Sequence, residues 1–598
     1  MLDVPSLEQR RQQAILQLDD FLCRECGGVR IPGAEAAQIV GRNFISGWRL
    51  TIQPLQEQRE MNVCVDGLFP FVAPRFQLVG GPTFLTWPHV EKDGALCLGD
   101  ETFTVDPLQP VLMARQLLVE MAFPLLRASE SGSNREDFRT EFYSYWNASM
   151  PAGGVPIRSL LLPQGPSRAV RIWRGRHFAV VGETEESILQ WLKNLYGDQK
   201  QFDNTEASCL LWLNELPLPV QYPQRSSDVQ AMARAAGGAE LLLELASKEK
   251  RSIPVIFGSM SENGPCLGAV IVSNTDRSDV IGRHINSIEA GFRPGHTPRD
   301  LVAKRLFNTS TPVTRAAVER ADAAWVHGRD QDTRQAALAS RRVVIIGCGA
   351  IGAPVATQLA MAGVGYVLLV DPENLSWANI GRHPLGADSV GFGKALQLAK
   401  KLAVSFPHAR FDSRTEEFGV ILQKEQSLLV DCDLIVCATG VWSVESALNA
   451  WHIGGKRPAN ILYSWTEPHA CAGHAVAIKP DDACLQCQFS RLGDAKTILT
   501  EWGSVGPKRE PACGAVYQPY GPVELAWTTA LASALALDCL LGKILRSRHR
   551  IWAGPKTLLE AAGGSWNADW IRNREEREAG GFLEERVWAK DLTCPICT

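Results

Sequence analysis

The chain has 598 residues, of which 45% are hydrophobic and 21% are charged, and its formal net charge is −4. This is the composition of a globular protein, and a chain of this length is expected to form about three or four domains. The small negative charge argues against a protein whose partner is a nucleic acid bound over a basic surface.

The segments that would send a protein to a membrane or out of the cell are not predicted. The first residues, MLDVPSLEQRRQQ, have no basic segment followed by an apolar run, so we expect no signal peptide and a cytoplasmic location. The most apolar stretch, 525–541, contains Asp538 and two threonines and is shorter than the roughly 20 residues of a membrane span. We predict that this stretch is a buried helix, with no membrane as partner.

Residues 1–150 are predicted to form one α+β domain. A helical pattern begins after Ser6, which is placed to cap it. Three strand-like stretches with short links then predict an antiparallel meander: WRLTIQP, MNVCVDG and RFQLVGG. Two further stretches read as helices, PVLMARQLLVEMAFPLL and NREDFRTEFYSYWN. The Pro- and Gly-rich segment 150–168 is predicted to be a linker.

Residues 151–330 alternate strand-like and helical stretches, which predicts an α/β domain. The strands are HFAVVGE, SCLLWLN, SIPVIFGS and CLGAVIVSN, and the clearest helix is EESILQWLKNLYG. No catalytic pattern occurs here, so we interpret this domain as a spacer or an inactive module. Residues 331–598 are predicted to form a third domain of the Rossmann type, which makes the whole chain an α/β multidomain protein.

The third domain begins with a predicted nucleotide loop. In RRVVIIGCGAIGAPVATQLA, the glycines Gly347, Gly349 and Gly352 stand between a strand and a helix. Such glycines permit a tight turn and a close approach of phosphate to the helix N-terminus. Asp371 ends the next strand, where a carboxylate can accept hydrogen bonds from ribose hydroxyls. This pattern alone allows either ATP or a nicotinamide dinucleotide.

The residues after Asp371 favour ATP. The stretch DPENLSWANIGRHPLGADSVGFGKA adds Asn379 and two cations, Arg382 and Lys394, which suit a triphosphate whose charge grows as pyrophosphate leaves. This order of residues resembles that of the ThiF/MoeB/ubiquitin-activating adenylyltransferase family. The resemblance implies ATP with Mg²⁺, adenylation of a protein C-terminal carboxylate, and a homodimer formed through the adenylation domain.

One position departs from the pattern of that family. The family has an aspartate that helps to hold Mg²⁺, and the corresponding position here is Gly440. Asp431 or Asp433 are alternative ligands. The resemblance therefore implies a need for Mg²⁺ without naming the residue that binds it.

Sixteen cysteines without a secretory signal favour metal or thiol chemistry over disulfides. Two CxxC pairs, Cys484/Cys487 and Cys594/Cys597, can supply the four thiolates of a closed structural Zn²⁺ site, and members of the same family often carry such pairs. A third pair, Cys23/Cys26, has no partner pair nearby and is interpreted as packing.

Cys513 lies in the Gly- and Pro-rich stretch between the two pairs. Ubiquitin-activating enzymes carry a thioester cysteine in a loop of this region, so the resemblance implies this role for Cys513. Lys508 and Arg509 can favour its thiolate. The alternative is a structural loop cysteine, since MoeB-like members adenylate without a thioester.

A second thiol stands in WPHVEKDGALCL, residues 87–98. With the preceding FPFVAPRF, this stretch resembles ubiquitin-conjugating enzymes, whose His-Pro-Asn motif stands eight residues before the active cysteine. The resemblance assigns Cys97 as the acyl acceptor. His89 occupies the place of the motif's asparagine, where its ring N–H can donate to an oxyanion; the alternative is a histidine that only packs.

A conjugating domain (1–150) and an adenylation domain (331–598) on one chain resemble bacterial fusion proteins of CBASS anti-phage operons. That family adenylates the C-terminus of a cGAS/DncV-like nucleotidyltransferase and passes it through two thioesters to a target amine. The resemblance implies the same relay here, from Cys513 to Cys97. A ubiquitin-like protein is the alternative substrate, and a nicotinamide oxidoreductase or a non-catalytic scaffold are the alternative functions.

Overall fold

The computed structural model describes residues 6–32, 35, 43–99, 103–150, 154–197, 200–248, 252–273, 291–293, 296, 298–455, 459–503, 508–509, 516–517, 519–572 and 574–597. The chain divides into two compact units. The first comprises Met1–Ile157, Leu162–Ala179 and Glu206–Glu319, and the second Arg158–Leu161, Val180–Thr205 and Arg320–Thr598. Three short strands lie where the chain passes from one unit to the other: β5 (Ile157–Ser159), β7 (Ala179–Gly182) and β12 (Val318–Arg320).

The first unit begins with the predicted helix and meander. Helix α1 (Leu7–Asp20) starts at Ser6, whose hydroxyl accepts from the Gln9 N–H while the Gln9 side chain accepts from the Ser6 N–H, a capping box. The antiparallel sheet has the order β1 (Val29–Ile31), β2 (Phe44–Ile52), β3 (Arg59–Asp66) and β4 (Arg75–Val79). Helices α2 (Pro110–Arg115) and α3 (Phe123–Ser131) follow, joined by a π-helical segment, Gln116–Ala122.

The remainder of the first unit is a mixed sheet with helices. Its strands have the order β11 (Val313–Ala316), β10 (Gly264–Ser273), β9 (Ser252–Ser261), β8 (Glu206–Trp212) and β6 (Arg168–Arg174), and β8 and β9 run parallel. The helices are α4 (Asp137–Thr140), α5 (Phe142–Ala148), α7 (Ser226–Ala235), α8 (Ala239–Lys248) and α9 (Arg299–Leu306). Trp146 of α5 is fully buried against Phe257 of β9, so α5 packs onto this sheet.

The second unit contains a doubly wound sheet. Five parallel strands have the order β15 (Arg410–Arg414), β14 (Tyr366–Val370), β13 (Arg342–Ile346), β16 (Leu434–Cys437) and β17 (Asn460–Thr466). Three antiparallel strands extend it: β18 (Ala472–Ile478), β22 (Arg548–Pro555) and β24 (Gly580–Val587). The strand order reverses between β13 and β16, and ligands bind at such a reversal, beyond the carboxyl ends of the strands.

Helices cover both faces of this sheet. They are α6 (Glu185–Tyr196), α10 (Ala323–Gly328), α11 (Gln335–Ala339), α12 (Gly352–Met361), α13 (Lys394–Ser405), α14 (Phe418–Lys424), α15 (Ser427–Val430), α16 (Trp442–Gly454), α17 (Pro522–Leu540), α18 (Lys556–Ala561) and α19 (Ala568–Ile571). Two small antiparallel pairs complete the unit, β19 (Thr500–Glu501) with β23 (Ser565–Trp566), and β20 (Lys508–Arg509) with β21 (Val516–Tyr517).

The apolar stretch near residue 530 is a core helix. Within the described residues, α17 is the one helix long and apolar enough to span a bilayer, but about half of its apolar window (56%) is buried inside the protein. Leu531, Leu535 and Ala536 lie in the same core cluster as strands β13 and β14. The buried helix predicted from the sequence is therefore confirmed, as is the α/β class with a Rossmann-type sheet in the C-terminal part of the chain.

Candidate functional site

The glycine turn follows β13 and leads into α12. Gly347 has a φ of +87°, a conformation that glycine adopts at low cost. A Cβ added to Gly352 would lie 1.8 Å from the Gly347 carbonyl oxygen, so only glycine fits this position. A Cβ added to Gly349 would meet no atom within 4 Å. The loop therefore presents its open side at Gly349, next to the N-terminus of α12.

Asp371 joins the glycine turn to the end of β14. Its side chain is buried, with 5% exposure, and accepts hydrogen bonds from the Cys348 N–H at 2.6 Å and the Glu373 N–H at 2.8 Å. His383 supports the same turn, because its Nε2 lies 2.8 Å from the Cys348 carbonyl oxygen. Burial lowers the pKa of His383, which favours the neutral ring that donates from Nε2 and accepts from the Leu385 N–H.

A cavity of about 320 Å³ opens beside this turn, at the carboxyl ends of β13, β14 and β16. Its wall includes Gly347, Gly349, Asp371, Glu373, Lys394 and Thr439. The Lys394 side chain is buried and forms an ion pair with Glu373, most of whose side chain is exposed. A cation held in a partly closed cavity next to a helix N-terminus suits the phosphates of a nucleotide.

The structure does not bring every predicted nucleotide residue to this wall. Among the described residues, Asn379 and Arg382 do not line the cavity. The Asn379 side chain accepts hydrogen bonds from the Ser376 N–H and hydroxyl. Arg382 donates to the Ala378 carbonyl at 2.8 Å, and its guanidinium lies 5.2 Å from the centre of the Tyr520 ring. Both residues shape the segment between β14 and α13.

Gly440 lies in a left-handed turn after β16, with a φ of +63°. A Cβ added there would meet no atom within 4 Å, so the position has room for a side chain that this chain does not have. Asp433 is engaged elsewhere, since it accepts from the Arg341 guanidinium and the Arg342 N–H. Three carboxylates, those of Asp371, Glu373 and Glu417, do line the cavity. Oxygen ligands of this kind suit Mg²⁺ that also binds nucleotide phosphates.

Four cysteine thiols converge at the other end of the second unit. The Sγ atoms of Cys484 and Cys594 are 3.6 Å apart, those of Cys487 and Cys597 are 3.4 Å apart, and all four lie within 4.8 Å of one another. Zinc with four thiolates at about 2.3 Å requires sulfur–sulfur separations of roughly 3.8 Å. The donor set and its spacing therefore fit a structural Zn²⁺ site.

Cys513 lies outside the described residues. The nearest described segments are the strands β20 and β21, which pair antiparallel before and after it in sequence. Further upstream, the buried carboxylate of Glu467, which follows β17, accepts hydrogen bonds from the N–H groups of Leu499 and Thr500. These bonds fix the chain at residues 499–500, before β20, to the end of β17.

The thiol predicted to accept the acyl group stands in a constrained loop of the first unit. Cys97 is exposed, and its N–H donates to the His89 carbonyl at 2.8 Å. His89 has a φ of +59°, an uncommon conformation for a residue with a side chain. Its N–H donates to the Tyr145 hydroxyl oxygen at 2.9 Å. A strained backbone fixed by hydrogen bonds on both sides is typical of functional loops.

The His89 ring lies between carboxylates. Its Nε2 is 3.0 Å from Asp137 Oδ2, and its Nδ1 is 3.7 Å from Glu141 Oε2. A hydrogen bond with the Cys97 thiol raises the pKa of His89 most, burial opposes it, and Glu141 and Asp137 add to it, so that the pKa reaches about 9. The ring beside Cys97 is therefore a cation at neutral pH.

These two acidic residues and the tyrosine were not predicted from the sequence. Asp137, Glu141 and Tyr145 belong to NREDFRTEFYSYWN, which was predicted only to be a helix. Their spacing of four residues would place them on one face of that predicted helix, which is a signal that could have been used. Glu373 and His383, which carry no motif of their own, were not predicted either.

Two families match separate parts of the chain. Residues 41–152 match the Prokaryotic E2 family B, and residues 320–550 match the ThiF family. The first match contains His89, Cys97 and both acidic residues, and the second contains the glycine turn, Asp371 and Lys394.

Relatives match different shares of the chain. The ATP-dependent ubiquitin transferase-like protein Cap2 of Pseudomonas aeruginosa is 23% identical over 83% of this chain and 89% of its own length. The Cap2 protein of Vibrio cholerae is 24% identical over 69% of this chain and 72% of its own. Ubiquitin-like modifier-activating enzyme 5 of Drosophila ananassae is 24% identical over 29% of this chain and 45% of its own.

Among solved structures, a crystal structure of E. coli MccB with MccA-N7isoASN is 16% identical, with a TM-score of 0.30, over 44% of this chain and 69% of its own. The two domain families and the relatives that span both make this chain an E1/E2-like adenylyl and acyl transferase. The matches and the Cap2 relatives together support a Cap2-type fusion of a prokaryotic E2 domain with a ThiF-family adenylation domain.

Proposed function

We propose that this enzyme adenylates the C-terminal carboxylate of a protein, carries the acyl group as thioesters on Cys513 and then Cys97, and transfers it to an amine. One observation carries the proposal: a nucleotide cavity with a buried lysine and an exposed cysteine beside a cationic histidine occur on one chain. The first suits activation of a carboxylate, and the second suits acceptance of the activated acyl group.

In the adenylation step, a carboxylate oxygen attacks the α-phosphorus of ATP, and the bond from that phosphorus to pyrophosphate breaks. The N–H groups at the start of α12 and the Lys394 ammonium stabilise the negative charge that builds up on the phosphates. Asp371 fixes the turn through the Cys348 N–H and lies where ribose hydroxyls are bound in such sites. Arg382 and Asn379 belong to this proposal as residues of the same segment, and closure over a nucleotide would bring them to the phosphates.

In the relay, the Cys513 thiolate attacks the acyl carbon of the mixed anhydride, and AMP leaves. The Cys97 thiolate then attacks the Cys513 thioester, and the Cys513 thiolate leaves. Exchange between two thioesters is nearly balanced in free energy, so the final formation of an amide draws the acyl group forward. The exposure of Cys97 supports its place at the end of this relay, where an amine must reach it.

For the substrates, we propose a protein activated at its C-terminus, namely a cGAS/DncV-like nucleotidyltransferase encoded beside this gene in a CBASS operon, and a target amine on a protein or small molecule. The named relatives support this context, because Cap2 proteins match most of the chain. A bacterial ubiquitin-like protein is the alternative substrate. We further propose that the enzyme works in the cytoplasm as a homodimer formed through the adenylation domain.

We also propose that residues 1–150, 151–330 and 331–598 act as conjugating, spacer and adenylation domains. Zn²⁺ bound by the four clustered cysteines would tie the C-terminal segment to the sheet. Trp588, near the second pair, donates to the Cys484 carbonyl at 2.9 Å and supports this attachment.

Gly349→Ala is expected to weaken ATP binding without unfolding the loop. The added Cβ meets no protein atom within 4 Å, yet Gly349 lines the cavity, so the methyl group enters the space proposed for phosphate. Isothermal titration calorimetry should show a Kd for ATP at least about tenfold higher, a loss of about 1.4 kcal/mol. Gly454→Ala, also in open space but away from the cavity wall, is the control. Equal affinities for ATP in the wild type and in Gly349→Ala would contradict the assignment.

Purified enzyme is expected to contain about one zinc per chain, held by four thiolates. Cys484→Ser should remove most of this zinc, because it deletes one ligand of a closed site. Cys23→Ser, in a CxxC pair outside the cluster, should leave the zinc content unchanged. Elemental analysis by mass spectrometry measures the zinc content per chain. Full retention of zinc by Cys484→Ser would rule out this ligand set.

Incubation with ATP, Mg²⁺ and the neighbouring nucleotidyltransferase should give a thiol-sensitive adduct on Cys97. In Cys97→Ala the adduct should stay on Cys513, whereas Cys513→Ala should form none at Cys97 while it still forms acyl adenylate. Peptide mass spectrometry of non-reduced protein identifies the cysteine, with Cys23→Ala as the control. An undiminished Cys97 adduct in Cys513→Ala would show that the adenylate transfers directly and would remove Cys513 from the relay.

A further inference from the structure

A carboxylate lies next to each nitrogen atom of the His89 ring. Asp137 Oδ2 lies 3.0 Å from Nε2, within hydrogen-bond distance, and Glu141 Oε2 lies 3.7 Å from Nδ1, beyond it. A neutral imidazole has one donor and one acceptor nitrogen, whereas an imidazolium has two donors. An ionised carboxylate only accepts, so Nε2 donates to Asp137. The second negative charge, on Glu141, favours the doubly protonated ring and leaves the Nδ1–H available for another acceptor.

The helical segment that carries these carboxylates is held in place by packing. Asp137 begins α4, and Glu141 stands between α4 and α5. Tyr145 of α5 accepts from the His89 N–H and packs edge-on against the buried ring of Phe138, with ring centres 4.7 Å apart. The same helical segment therefore fixes both the backbone and the ring of His89. Only 18% of the His89 side chain is exposed, against 37% for Asp137 and 44% for Glu141.

We propose that Asp137 and Glu141 are positioning residues that hold His89 as an imidazolium beside Cys97, so that a charged N–H donates to the oxyanion formed at the Cys97 thioester. This inference rests on the proposed role of Cys97 as the acyl carrier. Ubiquitin-conjugating enzymes have an asparagine at this position, which offers a neutral N–H. A charged donor forms a stronger hydrogen bond to an oxyanion, and it needs a counter-charge to stay protonated.

The transfer forms a C–N bond and breaks the C–S bond of the thioester. A neutral amine nitrogen attacks the thioester carbonyl carbon, and the C=O electron pair moves to oxygen, where the His89 N–H stabilises it. The C=O bond then re-forms, the C–S bond breaks, and its electron pair leaves on Cys97 Sγ as a thiolate. The nitrogen loses a proton to solvent, the thiolate takes one up from solvent, and the products are an amide and the Cys97 thiol.

The pH dependence of the His89 ring follows from its neighbours. Among the described residues, the titratable groups that act on His89 are Cys97, Asp137 and Glu141, and Tyr145 packs beside it. Because the pKa of His89 is raised to about 9, the imidazolium is present at neutral pH and is lost as the pH rises through that value. Removal of the two carboxylates should lower the pKa of His89, because both raise it, while the contribution of the Cys97 hydrogen bond remains in the free enzyme.

The test measures discharge of a preformed Cys97 thioester by hydroxylamine across a pH series, since this nucleophile stays uncharged over the relevant range. The wild-type rate should fall as the pH rises through the pKa of His89, which Asp137 and Glu141 hold above its ordinary value when Cys97 Sγ is acylated. In Asp137→Asn/Glu141→Gln the midpoint should move down by one or more pH units, with a roughly tenfold slower rate just above neutrality. His89→Asn should give a profile without this fall.

Glu136→Gln is the matched control. Glu136 precedes Asp137 and pairs with Arg139 at 2.8 Å, and its side chain is 60% exposed. The Glu136→Gln variant should leave the midpoint of the pH–rate profile unchanged. The single variants Asp137→Asn and Glu141→Gln, each with a smaller shift, replace the double variant if that one fails to fold. An unchanged midpoint in folded variants would overturn the inference, because a purely structural role would change the rate but not the pH profile.

A second measurement separates this inference from the proposed function. The chain has 11 histidines, so the ring of His89 can be followed by NMR of histidine-labelled protein and assigned with His89→Asn. Its titration midpoint should lie near pH 9 in the wild type and lower in the double variant. A midpoint near 6.5 in the wild type would overturn the inference even if the thioester forms. If no thioester forms but His89 titrates near pH 9, the proposed thioester relay is wrong, whereas the inference that His89 is an imidazolium is retained.

Discussion

A buried or half-buried cation tethered to carboxylates is the feature on which both proposed reaction centres depend. In the nucleotide cavity this cation is Lys394, paired with Glu373. Next to Cys97 it is His89, between Asp137 and Glu141. Each faces a place where negative charge would develop, on phosphates in one case and on an acyl oxygen in the other. A fixed charge in a partly closed site stabilises such a transition state without reorganisation.

The backbone around both cations is equally constrained. Asp371 fixes the glycine turn to the end of β14 through two backbone N–H groups. Tyr145 and the Cys97 N–H fix His89 in a left-handed conformation. The two arrangements differ in fold but share one physical principle: a short loop becomes a precise binding site when a neighbouring element satisfies its backbone hydrogen bonds.

The sequence was sufficient for the elements that depend on local patterns. The buried strands β13, β14 and β16 are continuous apolar runs, and Gly347 and Gly352 occupy positions that exclude any side chain. The CxxC spacing placed the four cysteines of one cluster correctly, although about a hundred residues separate the two pairs. Contacts between distant segments could not be predicted in this way. The spacing of Arg382 matched a family pattern, but its guanidinium lies over the ring of Tyr520. No sequence motif predicted the carboxylates around His89.

The central claim is that this chain forms an acyl adenylate on the C-terminus of a protein. Exchange of labelled pyrophosphate into ATP measures this step, with the proposed nucleotidyltransferase substrate and the same protein with an amidated C-terminus as comparison. We expect exchange that requires Mg²⁺ and the free carboxylate and that the amidated protein does not support. Exchange of equal rate with the amidated protein, or none with any protein from the same operon, would contradict it.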